Sequence, residues 1–209
     1  MTARVGAILL AAGLSQRMGT CKQLLPLGEK TVIAHCLEGL LAGGAEEVIV
    51  VVGPQGGAVA EEVEDYPLTV VRTAIPHGDM AASALFGRDA LSPGISGVLV
   101  ALCDHPLVAP TTLRLLAAHH AEKPDSIIIP LHEGRKGHPA LFPRHVLDEL
   151  DGSRTLRDVV RATPDRVCLV EVCDPGVLLD MDTPEEYLKV TAFYRERAGQ
   201  PAGDANPFA

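Results

Sequence analysis

A three-layer α/β/α domain with a mainly parallel sheet is the fold class that this 209-residue chain predicts. Three observations carry it. Short β-branched or aliphatic runs recur along the chain, and segments of helical periodicity separate them. The strongest runs are apolar at every position, as strands covered on both faces are. The length suits one α/β domain and is enough to bury a full core. With no tryptophan and only 3% aromatic residues, that core has to be built from Leu, Val, Ile and Ala.

The elements follow in order. Val5–Leu10 reads as the first strand, and Val48–Val52 and Val98–Leu102 have the same wholly apolar character. Leu68–Arg72, Ser126–Pro130 and Cys168–Val172 are weaker strand candidates. Ile33, Leu37, Leu40 and Leu41 form one helical stripe, which Gly43-Gly44 ends. Further helices are predicted at Ala58–Asp65, Met80–Leu91, Thr111–His120 and Thr183–Arg197. The last opens with Thr183 as N-cap, Pro184 in the first turn and Glu186 completing a capping box. One domain over residues 1–197 is expected, with 198–209 as a flexible tail that shows no periodicity.

Charge and composition narrow the function classes. A formal charge of −9 argues against a nucleic-acid partner, which needs clustered Lys and Arg, but leaves room for a single nucleotide. No apolar stretch approaches the roughly 20 residues that cross a bilayer, so no membrane partner is expected. Arg4 and the run Val5–Ala12 have the outline of a signal peptide, yet the run is short and leads into a loop containing Gln16 and Arg17. The five scattered cysteines show no CxxC pair and read as reduced thiols. A cytoplasmic protein is the expectation.

In open α/β sheets ligands sit beyond the carboxyl ends of the strands, so the residues after each strand matter most. After Leu10 ends the first strand, Ala11, Ala12 and Gly13 leave little side-chain bulk, which lets backbone amides approach a ligand. Arg17 and Lys22 add positive charge suited to a polyphosphate. The loop is neither a Walker loop nor the dinucleotide fingerprint GxGxxG. On composition alone it could equally be a surface turn with two solvated cations. Asp104 lies just past the run Val98–Leu102, well placed to hold Mg²⁺ through oxygen, although it could merely cap the turn before Pro106. Asp180 and Asp182 fall on one side if residues 178–182 are extended. Either could complete a metal site with Asp104, and Asp182 also suits a helix N-terminus electrostatically.

LAAGLSQRMG, followed by Cys21-Lys22-Gln23-Leu24-Leu25-Pro26-Leu27, resembles the signature loop of the nucleotidyltransferases that load CTP or GTP onto molybdopterin. More distantly it is similar to the cytidylyltransferase of isoprenoid synthesis and to sugar-1-phosphate nucleotidylyltransferases. Gly78-Asp79-Met80-Ala81-Ala82-Ser83 resembles that family's segment reaching the base. Asp104 and Asp180-Met181-Asp182-Thr183-Pro184 resemble its two acidic motifs. Gly137-His138-Pro139-Ala140-Leu141-Phe142, with Gly152 and Arg154 downstream, is most similar to the molybdenum cofactor cytidylyltransferase branch. Five motifs in the right order span residues 5 to about 190. Two departures stand out: His105 replaces Met or another non-basic residue, and Ala84-Leu85-Phe86 replaces Ser-Leu-Arg, removing a cation.

The resemblance implies a Rossmann-like nucleotidyltransferase domain in which an acceptor phosphate attacks the α-phosphorus of a nucleoside triphosphate, CTP favoured. It implies that Arg17 and Lys22 hold the triphosphate and that Asp104 and Asp182 hold Mg²⁺. Asp79 and Ser83, with the amides around Ala12 and Gly13, would read the base. Gly137, His138 and Pro139 would line the acceptor pocket, with molybdopterin as acceptor and a molybdoenzyme or its chaperone as a further partner. Three alternatives remain: a GTP-using or sugar- or polyol-phosphate transferase, a non-catalytic maturation factor, and an oxidoreductase, against which the missing glycine fingerprint counts.

Overall fold

The computed structural model describes residues 3–13, 15–74, 80–150, 154–199 and 207–208. In chain order the elements are β1 (Val5–Leu10), β2 (Pro26–Leu27), β3 (Lys30–Thr31), α1 (Val32–Ala42), β4 (Val48–Val52), α2 (Gly57–Glu62), β5 (Thr69–Arg72) and α3 (Met80–Ala90). Then follow β6 (Gly97–Leu102), α4 (Pro110–Glu122), β7 (Ile127–His132), β8 (Arg135–Lys136), β9 (Ala140–Pro143), α5 (Arg144–Asp148), α6 (Leu156–Ala162), β10 (Val167–Glu171) and α7 (Pro184–Ala198).

The main sheet runs β10-β7-β9-β6-β1-β4-β5, with β8 paired on β7. All pairs among β5, β4, β1 and β6 are parallel, as is β7 with β10. β9 lies in the middle and is antiparallel to both neighbours, with Val98 opposite Phe142 and Ile128 opposite Leu141. The fold is therefore α/β with a mixed, mostly parallel sheet. β1 and β4 are buried at every position, as their unbroken apolar sequences require.

Two apolar layers flank the sheet. One joins Leu9, Val50, Leu37, Leu116 and Val190, where α1, α4 and α7 cover one face. The other joins Ile8, Val51, Leu91, Phe142 and Val159 beneath α3, α5 and α6. Caps fix several helix starts. Thr31 accepts from the Ala34 amide at α1, and the capping box predicted at Thr183 and Glu186 opens α7. Gly199, at φ +66°, closes α7 in the left-handed region that glycine adopts freely.

The sequence reading missed β9, α5, α6 and the small β2–β3 hairpin. β9 is four residues long, follows Pro139 and ends on Pro143, too short for a readable period. Of the segment read as a tail, residues 200–206 and 209 lie outside the described residues. The Phe208 ring meets Tyr187 edge-on at 5.6 Å between centroids. Among the described residues, no helix is long and apolar enough to cross a membrane.

Candidate active site

β1 and β6 are neighbours in register, with Leu10 opposite Leu102, so the segments that follow them leave the sheet side by side. The next strands diverge, towards β4 on one side and β9 on the other. This is the switch point at which such sheets form a ligand crevice. The loop after β1 opens with the Ala11 amide donating to Val51, and Met18, 4% exposed, anchors its middle in the core. A 3-10 turn over Lys22–Leu24 closes it.

Three predicted residues meet at one point. The Lys22 ammonium donates to Asp104 Oδ2 at 2.9 Å and to Asp182 Oδ1 at 2.7 Å. Arg17 donates to the other Asp182 oxygen at 2.6 Å. These contacts join residues 82 to 165 positions apart, so the site exists only in the folded chain. Burial of Lys22 works against its charge, but the two carboxylates outweigh it and its pKa is raised. Burial likewise opposes the charge of Asp104, yet the hydrogen bond from His105 and the nearby Lys22 hold that carboxyl well below the usual range. Asp104 is thus ionised at neutral pH.

Each carboxylate has its own support. Asp182 follows Met181, which is fully buried, and its backbone amide donates to Glu186 at 2.9 Å. The capping box of α7 therefore also fixes a site residue. Asp180 is exposed, and the ion pairs of Lys22 and Arg17 run to Asp182 and Asp104 instead. His105 Nδ1 lies 2.7 Å from Asp104 Oδ1. In the sequence this histidine stands out only as a departure from the family pattern, and its contact with Asp104 emerges only from the fold.

The acceptor motif arrives from an unexpected direction. Because β9 runs antiparallel to β6, its first residue, Ala140, pairs with Val100 near the carboxyl end of β6. His138 and Pro139, joined by a cis peptide bond, therefore lie beside Asp104 and His105. The His105 and His138 rings are 5.0 Å apart. The His138 side chain is exposed to solvent, and desolvation by the groups packed against its ring, then the nearby His105, lower the imidazole pKa to about 4. Gly137 is buried, and a Cβ there would come within 2.6 Å of Val177. Its place is explained by packing, and the His138 amide donates to the Val177 carbonyl at 2.9 Å. That contact ties the motif to the segment leading into Asp182.

Beside this cluster lies a groove of about 380 Å³ lined by Ala11, Ala12, Gly13, Gln23, Gly53 and Gln55, among others. Ser83, 4% exposed on α3, is not among its lining residues, nor is Leu10 at the end of β1. Asp79, with His77 and Gly78, falls outside the described residues, as does Gly152. Gly53 and Gln55 were missed by the sequence reading. The signal was available, since Gly53 directly follows the strand Val48–Val52, as the rule for strand ends demands.

Among the described residues, no three His, Cys, Asp or Glu side chains gather as a metal site. Two converging carboxylates do suit a Mg²⁺ ion, which characteristically takes one or two of them and completes its shell with phosphate oxygens and water. Hard oxygen donors beside two cations, at the edge of a small-residue groove, are the chemistry that a metal-bound polyphosphate calls for. The class that fold and site define is the nucleotidyltransferase.

Comparison with known proteins agrees. Residues 7–167 match the model of the MobA-like NTP transferase domain, and the chain belongs to that family. It is 31% identical to nicotine blue oxidoreductase of Paenarthrobacter nicotinovorans, covering 89% of this chain and 96% of the relative. It is 27% identical to the molybdenum cofactor cytidylyltransferase of Escherichia coli K12, covering 92% and 98%. Among solved structures, a nucleotidyl transferase from Methanothermobacter thermautotroptrophicus superposes with a TM-score of 0.81 at 26% identity, covering 93% and 99%. A Mycobacterium tuberculosis H37Rv protein solved in complex with manganese gives 0.73 at 26%, covering 92% and 100%.

Proposed function

We propose that this chain is a Mg²⁺-dependent nucleotidyltransferase that moves CMP from CTP to the phosphate of a molybdopterin-type acceptor and releases pyrophosphate. The convergence of Lys22 on Asp104 and Asp182, with Arg17 alongside, carries the reading. Both reactants are anions, so the work of such a site is neutralisation and in-line positioning. Asp104 and Asp182 would hold Mg²⁺, which would supply charge neutralisation to the phosphates. Arg17 and Lys22 exchange carboxylate partners for the β- and γ-phosphates and stabilise the leaving pyrophosphate. The small residues Ala11, Ala12 and Gly13 let the nucleotide approach the backbone. Leu10, Ser83 and Asp79 stand with them as the nucleotide set implied by the family, and base choice depends on this part of the site.

On the other side of Asp104, His138 and Pro139 face the acceptor. An imidazole with a pKa of about 4 is neutral at pH 7, suited to hydrogen bonding with a heteroaromatic ring rather than to charge pairing. The likeness to the cytidylyltransferase of E. coli supports CTP and molybdopterin.

A second reading has one observation in its favour, the 31% identity to a protein named for an oxidoreductase activity. Against it stand the paired carboxylates beneath Lys22, for which hydride transfer has no evident use. Pyrophosphate release from CTP in the presence of molybdopterin and Mg²⁺ tests the proposal. Acceptor-dependent release supports it. Its absence with CTP and GTP alike contradicts it and favours the redox reading.

A further inference from the structure

Gln23 is 2% exposed and spends its whole hydrogen-bonding capacity on one irregular loop. Its amide nitrogen donates to the carbonyls of Ala11 at 3.0 Å and Gly13 at 3.1 Å. Its carbonyl oxygen accepts from the Ser15 hydroxyl at 3.3 Å and the Cys21 thiol at 3.2 Å. Two donors and two acceptor sites are all that a glutamine side chain has. The Ser15 hydroxyl also accepts from the Lys22 backbone amide at 3.2 Å. Ser15 itself sits at φ +50°, a left-handed conformation that is strained for a non-glycine residue and that the surroundings must impose.

The direction of these bonds matters. In a trans peptide the C=O of one residue and the N–H of the next point opposite ways. Turning the Ala11 carbonyl towards Gln23 therefore sends the Ala12 N–H away from it. Packing alone would be served by leucine or methionine, without the cost of burying an amide. What the amide adds is a defined shape for the irregular loop that follows β1.

Resting on the transferase reading above, we propose that Gln23 is a positioning residue for the nucleotide. It locks Ala11, Gly13, Ser15 and Cys21 to one another, so that the loop backbone presents its amides to the nucleotide while Lys22 and Arg17 meet the phosphates. Binding energy then goes into contacts rather than into ordering the loop.

The test uses Gln23→Leu, which fills the space without hydrogen bonds, and Gln23→Glu, which turns a carboxylate oxygen towards two carbonyls. Titration calorimetry with CTP and Mg²⁺ is run well below the melting temperature, with circular dichroism confirming the fold. The expected result is a loss of affinity of about 10- to 100-fold in both variants, the scale on which displaced groups cost an active site. In turnover the nucleotide KM rises while kcat stays within about threefold, the split that marks lost ground-state binding. If either folded variant binds as tightly as the wild type, the positioning role falls while the transferase reading stands. If the wild type binds no nucleotide, both fall. Should Gln23→Leu fail to fold, the near-isosteric Gln23→Glu decides.

Discussion

Lys22 holds two carboxylates at once, and the residues of this cluster are not equally legible in the sequence. Arg17 and Lys22 stand in a small-residue loop after the first strand, and Asp104 stands at the end of another apolar run, so position alone singles them out. Asp182 is ambiguous in sequence, since its place before Thr183 and Pro184 already explains an acidic residue. Only the fold brings it to within 2.7 Å of the Lys22 ammonium. His105 and Gln23 were not legible as partners of the site, because side-chain hydrogen bonds across loops leave no spacing pattern. Asp104→Asn keeps the volume and removes the charge. Turnover is expected to fall by on the order of 10²–10³-fold with the fold intact, the scale of losing one electrostatic stabiliser. Near-normal turnover in a steady-state assay would sink the metal assignment. His138→Ala is expected to raise the acceptor KM by about tenfold and to leave the nucleotide KM within about twofold, as removal of a ground-state contact to one substrate does. Equal rises in both would count against the acceptor role.

At the scale of elements, β9 decides where the acceptor segment lies. The long strands β1 and β4 were legible to the residue, because burial on both faces leaves an unbroken apolar run. β9 was not, since four residues that follow one proline and end on another carry no period and the antiparallel direction comes from its neighbours. The motif Gly137–Phe142 was recognised while the strand inside it was not. Yet the strand is what carries His138 to the carboxyl end of β6. Leu141 and Phe142 fill opposite faces of the sheet centre, and Leu141 is fully buried. Leu141→Ala is expected to cost about 2–5 kcal/mol in urea unfolding, the usual range for a buried leucine. A cost under 1 kcal/mol would mean that β9 is not a central strand. α5 and α6 escaped the sequence reading for a related reason, being single- or double-turn helices whose stripes are too short to register.

For the molecule as a whole, two apolar layers on one sheet fix a site made from three distant parts of the chain. Acid should undo that arrangement in a defined way. His120 is fully buried, with Ser96 3.3 Å from its Nε2, and burial, then the neighbouring His145, lowers its pKa against a weaker opposing effect of Asp125. The native state therefore refuses a proton that the unfolded chain takes up near the ordinary value of about 6.5. A lowered pKa on a basic group means stability present above that value and lost as pH falls below it. The melting temperature is expected to drop between pH 7 and pH 5, and His120→Gln should flatten part of the slope. An unchanged slope in that variant would remove His120 from the explanation.

The most direct test of the central claim is the melting temperature with CTP, GTP, ATP and UTP in turn, each with and without Mg²⁺. A ligand at about 100 times its dissociation constant stabilises the native state by about 2.7 kcal/mol. In a domain of this size that corresponds to a rise of roughly 5–10 °C. The account predicts such a rise with CTP, dependent on Mg²⁺ and abolished in Asp104→Asn. A shift selective for GTP would keep the site and change the product. No shift with any of the four nucleotides would contradict the account.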